Sequence, residues 1–335
     1  MKKHFLLFVC LLMVATVAKA DIAASVMLRH NGHATFFAHD EIQNAVDAAV
    51  EGDTIYLTEG TFSPFNVDKR IMVRGTGWTT IIEGDCNINI SGTAKLPMPV
   101  LDGVALNGDI NVQSAYSQFT LRKVKVKNVA FAGEEHYDVK LDRCHIYGIL
   151  DLAENVKEIN VFNSRIQQIT PHDYVLGHAT FEHCNIYYIY SSVVSSITAT
   201  FNSCVLYFAY YIQSYRYPIL VGCVLNNCIY SRAYSTRQAD SSSSYDALLY
   251  SPSTTFLDCV AITNTSVLSD SNVLSFNNNN YISALDGTKI GAYGGQHPFT
   301  LWSELPAVTK HSVKVDAANK KLNVTLTLEK RDKPE

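Results

Sequence analysis

The sequence predicts an all-β protein, a right-handed parallel β-helix whose coils are about 20 residues long. Apolar and small residues recur at a fixed 20-residue step down the middle of the chain. The repeated segments are rich in Val, Ile, Tyr, Phe and Thr, and none has the periodicity of an amphipathic helix. One helical segment precedes the repeats, as a cap would, and an alternating pattern typical of a β-hairpin follows them.

The repeat is clearest between residues 141 and 206, where a small residue precedes an aliphatic one by two positions in every unit. The small residues are Cys144, Ser164, Cys184 and Cys204, and the same step leads back to Val124 and forward, one residue short, to Cys223. A further inward column is predicted to contain Val129, Ile149, Ile169, Ile189, Ala209 and Cys228. Stacked coils would place equivalent side chains about 4.8 Å apart.

The cysteines fit this repeat. The chain has eight, of which seven remain after the expected processing. Because several occupy the inward small-residue column, we interpret them as buried free thiols that pack like small apolar side chains. A disulfide between stacked neighbours is the alternative. A metal site is disfavoured because the column lacks inward His or carboxylate neighbours, and no cofactor is predicted.

Residues 1–20 predict a signal peptide. Lys2 and Lys3 precede an apolar run, and Ala18-Lys19-Ala20 gives the small-residue pattern of a cleavage site. The run is too short to span a membrane, and no other stretch reaches that length. The mature protein is therefore expected to be secreted, periplasmic or at the cell surface, without a transmembrane segment.

The β-helix with its N-terminal cap is predicted to span residues 21–300. Asp40 is positioned to cap a helix over Glu41–Val50, whose apolar face would cover the first coil. Thr54–Leu57 is the first predicted strand. A serine-rich insertion near Ser231–Ser253 is interpreted as a polar loop, with a functional loop as the alternative.

Residues 301–335 are predicted to form a C-terminal β-hairpin. Its strands would be His311–Val315 and Lys321–Leu328. The hairpin is expected either to cover the edge of the last coil or to act as an attachment tail for a cell-surface partner.

Two segments resemble known β-helix proteins. Ile42 to Leu57, followed by Glu59-Gly60-Thr61-Phe62, resembles the opening of pectate-lyase-like β-helix proteins. Asp286 to Gly295, with His297-Pro298-Phe299, is similar to the closing motif of exported β-helix proteins from Bacteroidetes-type bacteria. The resemblance implies the fold but no single activity, because lyases, hydrolases and non-enzymatic surface proteins share it. An enzyme of this superfamily would act on acidic polysaccharide, with Ca²⁺ implied only for a lyase.

Tyrosine is unusually abundant, with 19 residues, many of them in the later coils. Tyr147, Tyr187 and Tyr207 recur at the 20-residue step, with Gln167 between the first two, and Tyr190 and Tyr210 form a second column. The candidate carbohydrate-binding residues are Tyr147, Tyr187, Tyr190, Tyr207, Tyr210, Tyr211 and Arg216. Outward aromatic rings can pack on sugar rings. The alternative is a stacking ladder that only stabilises neighbouring strands.

No catalytic cluster is evident. Asp142 and Glu182 share an outward column but are two coils apart, which is unconvincing as a hydrolase pair. Arg143, Arg165 and His183 lie close across coils and could hold an acidic sugar. The net charge of −4 and the absence of a basic block argue against nucleic-acid binding.

The sequence therefore favours an exported β-helix protein that engages polysaccharide through a tyrosine-rich lateral face. One alternative is a polysaccharide lyase or glycoside hydrolase that acts on acidic glycans. The other is a structural surface or adhesion protein.

Overall fold

A computed structural model describes most of the chain from residue 25 onward. The described residues are 25–90, 99–113, 119–132, 138–152, 156–171, 178–191, 198–211, 222–231, 255–257, 259–262, 307–316 and 321–329. The expected signal peptide, nearly all of the serine-rich insertion and the closing motif near residue 290 lie outside these residues. The domain boundaries at residues 20 and 300 therefore stay predictions.

The protein is a right-handed parallel β-helix built from two long sheets, as the repeat predicts. Sheet A contains β3 (Thr54–Leu57), β6 (Met72–Arg74), β9 (Leu101–Asp102), β12 (Phe119–Arg122), β15 (Val139–Asp142), β17 (Glu158–Phe162), β19 (His178–Glu182), β21 (Ala199–Asn202), β23 (Val224–Asn226) and β25 (Thr255–Leu257). Each strand pairs in parallel with its equivalent in the next coil, so the strand order follows the chain.

After each strand of sheet A, the chain continues into a strand of sheet B. It contains β4 (Gly60–Phe62), β7 (Thr80–Ile82), β10 (Ala105–Leu106), β13 (Lys125–Val126), β16 (His145–Leu152), β18 (Arg165–Pro171), β20 (Asn185–Ser191), β22 (Val205–Tyr211), β24 (Ile229–Ser231) and β26 (Val260–Ile262). The early coils add β5 (Asn66–Val67), β8 (Cys86–Ile88), β11 (Ile110–Val112) and β14 (Val129–Phe131). From β16 onward one long strand replaces two short ones, because β16 pairs with both β13 and β14.

The N-terminal cap has two parts, of which the sequence predicted one. β1 (Ser25–His30) and β2 (His33–Ala38) form an antiparallel hairpin, and β1 also pairs antiparallel with β3. The turn residues Asn31 and Gly32 both have positive φ, 48° and 84°, as a two-residue hairpin turn requires. The hairpin therefore covers the edge of sheet A at the first coil, and the sequence analysis missed it.

The second part of the cap is the helix α1 (Ile42–Ala48), which is shorter than predicted. The prediction that Asp40 caps it was wrong, because Glu41 occupies the N-cap and no side chain among the described residues bonds there. Val50 also departs from the predicted buried face and is 49% exposed. The helix ends early because the backbone is extended at Ala49.

The inward column at the end of each sheet A strand confirms the 20-residue step. The paired residues are Leu101, Leu121, Leu141, Val161, Phe181 and Phe201. All are fully buried. The rings of Phe181 and Phe201 stack with centroids 5.0 Å apart and planes 12° apart. The core is therefore a file of large apolar side chains, each packed on its equivalent in the next coil.

A left-handed residue joins sheet A to sheet B in coil after coil. These residues are Gly103, Lys123, Arg143, Asn163, His183, Ser203 and Asn227, with φ between 47° and 67°. The next residue points inward at the sharpest part of the turn, where only a small side chain fits. This turn explains why Cys, Ser and Val occupy the predicted small-residue column.

The cysteine column is confirmed, but its last members were assigned wrongly. Cys228 and Cys259 follow Cys204 in this column, because β22 pairs with β24 and β24 with β26 at the flanking residues. Cys223 instead aligns with Ala199. The interval is 24 residues from Cys204 to Cys228 and 31 residues from Cys228 to Cys259, so a 20-residue step assigns the wrong residue here.

The seven described cysteines are free thiols, as predicted. The Cys184 thiol donates to the carbonyl oxygens of Val161 at 3.4 Å and Glu182 at 3.3 Å, and most other thiols of the column repeat this pattern. Burial raises the pKa of Cys144 to about 12. The Cys144 thiol therefore stays protonated, and the buried thiols of the column act as packing groups.

A β-bulge overturns another assignment. Register shifts between β16 and β18, so Leu150 and not Ile149 faces Ile169. Leu150 is fully buried, whereas Ile149 is 37% exposed. The extra residue arises at Gly148, where a Cβ would collide with the Asn128 side chain. The bulge therefore turns Ile149 outward beside Tyr147.

The C-terminal hairpin is present as predicted. β27 (Ala307–Asp316) and β28 (Lys321–Glu329) pair antiparallel and form a separate two-stranded sheet. Whether the hairpin covers a coil or attaches the protein elsewhere stays a prediction. Across the described parts of the chain, no helix is both long and apolar enough to cross a membrane.

Candidate carbohydrate-binding face

The lateral face lies where sheet A passes into sheet B. The first outward residues of consecutive sheet B strands pair in one column, so that Lys125 is followed by His145 and then Arg165. Parallel neighbours are about 4.8 Å apart, so these basic side chains stand at regular intervals along the solenoid axis. Lys123, Lys127 and Arg143 flank the column.

A loop places an aromatic ring on this column. In the coil of β6 and β7 the connection is longer than in later coils and comprises residues 75–79. Gly75 and Gly77 donate their backbone N–H groups to the carbonyl oxygens of Asp102 and Gly103, both at 2.9 Å. The Trp78 indole N–H donates to the Lys123 carbonyl at 3.0 Å. The loop is therefore fixed against the next coil and Trp78 against the coil after it.

Glycine is required where this loop touches the solenoid. A Cβ at Gly75 would collide with the carbonyl oxygen of Gly103. Gly103 itself has φ of +67°. The close approach of these two backbones is what lets the loop lie flat enough for Trp78 to reach the basic column.

Aromatic rings surround the lysine of the column. The Lys125 Nζ atom lies 6.0 Å from the ring centroid of Trp78 and 5.9 Å from that of Tyr147. His145 packs beside both rings, with centroids 5.7 Å from Trp78 and 6.1 Å from Tyr147. We call Trp78, Lys125, His145, Tyr147 and Arg165 the basic–aromatic patch. The patch combines fixed positive charge with aromatic surface, the two features that an acidic sugar can contact.

Tyr147 is positioned by the bulge in β16. Its hydroxyl donates to the Leu106 carbonyl at 3.3 Å, and the residue is 37% exposed. Partial burial, and secondarily the charge of Asp109, raise the pKa of Tyr147. The phenol is therefore neutral at ordinary pH, with an exposed part of the ring available for contact.

An ion-pair ladder borders the patch on sheet A. Asp102 is 6% exposed and accepts hydrogen bonds from Arg74 at 2.8 Å and from Arg122 at 3.0 and 2.6 Å. Burial would raise the pKa of Asp102, but the bonds from Arg122 and Arg74 outweigh it and lower that pKa. Both oxygens of the Asp102 carboxylate accept hydrogen bonds from arginines, so Asp102 is not available as a catalytic acid.

Asp142 is the next carboxylate along the ladder. Burial raises its pKa, which the charges of Arg143, Arg122 and Lys123 only partly offset. Among the residues that the structure describes, no group of three or more His, Cys, Asp or Glu side chains could hold a metal ion.

The predicted tyrosines divide into two groups. Tyr147 belongs to the patch, whereas Tyr187 lies two coils further on and packs edge-to-face with Tyr188 at 4.6 Å. The register places Tyr187 beside Tyr207, pairs Tyr190 with Tyr210, and pairs Ser191 with Tyr211. The side chains of Tyr190, Tyr207, Tyr210 and Tyr211 lie outside the described set, as does all of Arg216. Their role in carbohydrate binding stays a prediction.

Sequence analysis missed Trp78, Lys125 and His145, although it named Arg165, together with Arg143 and His183, as a group that could hold an acidic sugar. The signal for the column was present, because the 20-residue step from Lys125 leads to His145 and Arg165. The alternation of Lys123, Lys125 and Lys127 with valines is typical of the outer face of a strand and does not by itself indicate a ligand. Trp78 could not be found by the step, because it stands on a loop outside the repeat.

Comparison with protein-family models, with curated proteins and with solved structures gave no match. The fold is therefore established by its own strand pairing, and the resemblances noted in the sequence stay predictions.

Proposed function

We propose that this protein is exported and binds acidic polysaccharide through the basic–aromatic patch. The observation that carries the proposal is the position of Lys125, beside the rings of Trp78 and Tyr147 and in line with His145 and Arg165. Basic side chains stacked at the coil spacing match a ligand that carries anionic groups at regular intervals along its length.

The physical argument combines two weak interactions. An exposed ion pair contributes only about 0.2–1 kcal/mol, and salt screens it. Aromatic rings add contact with the apolar faces of sugar rings without needing charge. Several such contacts along one chain act together, so a polysaccharide would bind more tightly than a single sugar.

The proposal is tested by the electrophoretic mobility of the protein in gels that contain a glycan. Polygalacturonate and a sulfated glycan provide carboxylate and sulfate groups, and dextran is the neutral control. We expect retardation by at least one acidic glycan and none by dextran. Trp78→Ala should weaken the retardation about tenfold, by about 1.4 kcal/mol.

Phe36→Ala is the matched control for this experiment. Phe36 is a 70% exposed aromatic residue on β2, away from the patch. The variant should migrate like the wild type. Equal retardation by dextran and the acidic glycans, or no effect of Trp78→Ala, would count against the proposal. No retardation in any gel would favour the structural or adhesion alternative.

A lyase is a second candidate because His145 stands between Lys125 and Arg165 in one column. A lyase needs a base to remove the proton next to the uronate carboxylate, and positive charge to stabilise that carboxylate. The absorbance of unsaturated products during incubation with polygalacturonate tests this activity. Activity that disappears in His145→Ala would support it, and binding without any absorbance change would exclude it.

A further inference from the structure

His145 differs from its two neighbours in the basic column because it can gain or lose its charge near neutral pH. Lys125 precedes it and Arg165 follows it, each one coil spacing away. Lysine and arginine side chains ordinarily stay positively charged throughout the range in which an imidazole titrates, about pH 5 to 8. The charge of the column is therefore variable at its centre and fixed on either side.

The groups that face His145 are basic or aromatic. Its ring lies beside that of Trp78 on the loop and that of Tyr147 on its own strand, with centroids 5.7 and 6.1 Å apart. Lys125 faces it from β13 and Arg165 from β18, so a further positive charge at this position is repelled. The His145 side chain is partly exposed, so solvent and a ligand on the patch can both reach it.

The other charged residues near the patch do not reverse this balance. The basic residues that flank the column are Lys123, Lys127 and Arg143. Asp142 lies on sheet A in the same coil, where positive charges of sheet A and of the turn act on it. Asp109, whose charge reaches Tyr147, accepts a hydrogen bond from Asn128 at 2.9 Å. An anionic ligand on the patch would therefore bring the negative charge that favours a protonated His145.

We propose that His145 makes binding on the basic–aromatic patch depend on pH, because it takes up a proton when an acidic glycan binds. The bound anion stabilises the imidazolium, so the complex holds this proton more tightly than the free protein does. Affinity therefore increases as the pH falls, and it becomes constant once His145 is protonated in both states. The inference rests on the proposed function, since it describes regulation of the same patch. A lyase base would instead have to be neutral to accept a proton.

The column itself indicates which variants isolate the charge. Lys125 and Arg165 occupy the equivalent position in the neighbouring coils, so a long basic side chain fits there. His145→Lys makes the positive charge permanent, and His145→Gln removes it at every pH. The lysine variant should bind at all pH values about as tightly as the wild type does in acid. The glutamine variant should bind about as weakly as the wild type does in alkali.

The test measures the dissociation constants of polygalacturonate and of a sulfated glycan from about pH 5.5 to pH 8, which brackets the ordinary imidazole range. The anionic groups of both glycans stay ionised throughout. The wild type should bind about tenfold more tightly at the acid end. Calorimetry in two buffers of different ionisation enthalpy should show uptake of up to about one proton per site near the middle of the range. Both variants should take up none.

His33→Gln is the matched control, because His33 is an exposed histidine on β2, in the N-terminal hairpin. This variant should keep the pH dependence of the wild type. If the wild type binds equally well at every pH, or more weakly in acid, the role of His145 is wrong while the patch stands. The same conclusion follows if His145→Gln keeps the wild-type pH dependence. If no acidic glycan binds at any pH, the proposed function fails and this inference fails with it.

Discussion

The two sides of the turn between sheets A and B differ in what they allow. On the inner side, Val124, Cys144, Ser164 and Cys184 follow one another, all fully or almost fully buried and all small. One residue earlier, on the outer side, stand Lys123, Arg143, Asn163 and His183, which share a left-handed backbone but little chemistry. On the inner side, the available volume restricts which side chains fit. On the outer side, only the left-handed backbone conformation restricts the choice of residue.

The residues on the outer side have a strained backbone conformation, which hydrogen bonds to the next coil support. A left-handed residue other than glycine costs about 1–2 kcal/mol. Each of these residues recovers part of this through a backbone hydrogen bond to the next coil, such as Lys123 N–H to Asp142 O at 2.8 Å. The solenoid can therefore place a lysine, an arginine or a histidine at this turn, and its surface chemistry changes from coil to coil while the core repeats.

The largest predicted effect is in the core file of sheet A, which leads into the inner side of the turn. Phe181→Ala removes a fully buried ring that stacks on Phe201, and it should reduce the free energy of unfolding by about 3–5 kcal/mol. Urea denaturation measures the change. Phe36→Ala, on an exposed ring, should change stability by no more than about 0.5 kcal/mol. Similar losses in the two variants would contradict the difference between inner and outer positions.

A smaller loss of stability is predicted when Asp102, the buried carboxylate beside the turn, is replaced. Asp102→Asn keeps an acceptor but loses the charge that Arg74 and Arg122 bind, and it should destabilise the protein by about 1–3 kcal/mol at neutral pH. Since the ion pairs lower the pKa of Asp102 in the folded state, its contribution is present above the ordinary carboxyl pKa. It is lost as the pH falls through the folded-state value.

The pH dependence makes this prediction specific. The stability difference between wild type and Asp102→Asn, measured by urea denaturation at successive pH values, should shrink as the solution becomes acidic. A difference that grows in acid would mean that the pKa of Asp102 is raised. Arg29→Ala, which removes an exposed arginine from β1, should show no such pH-dependent difference.

The smallest effect is predicted within the cysteine column. Ser164 already occupies this column, where its hydroxyl donates to the Phe162 carbonyl at 2.7 Å and accepts from the Cys144 N–H at 3.0 Å. Cys184→Ser should therefore cost less than about 1.5 kcal/mol. Cys184→Leu overfills the turn and should cost about 1–3 kcal/mol. If serine were more damaging than leucine, the column would be limited by polarity and not by volume.

The inner side was predictable because it obeys one rule of spacing. The 20-residue step located the cysteine column as far as Cys204, and the core file from Leu101 to Phe201 follows the same step. It failed at Ile149, where a bulge inserts a residue, and at Cys223, where the coil is longer. A count along the sequence cannot see an insertion that leaves the local pattern intact.

The candidate site was less predictable because it depends on contacts between coils. Trp78 reaches Lys123 across 45 positions of sequence, through a loop that breaks the repeat. By contrast, the hairpin turn at Asn31-Gly32 carried a recognisable signal that sequence analysis overlooked.

The most direct test of the proposed binding is the salt dependence of the dissociation constant for polygalacturonate. The wild type should bind more weakly as salt increases, because screening weakens contacts between exposed charges. Lys125→Glu should raise the dissociation constant at least about tenfold at low salt and flatten its salt dependence. Arg29→Glu, with the same charge change on the N-terminal hairpin, should behave like the wild type. Equal affinity and equal salt dependence in the wild type and Lys125→Glu would contradict the basic–aromatic patch as the binding site.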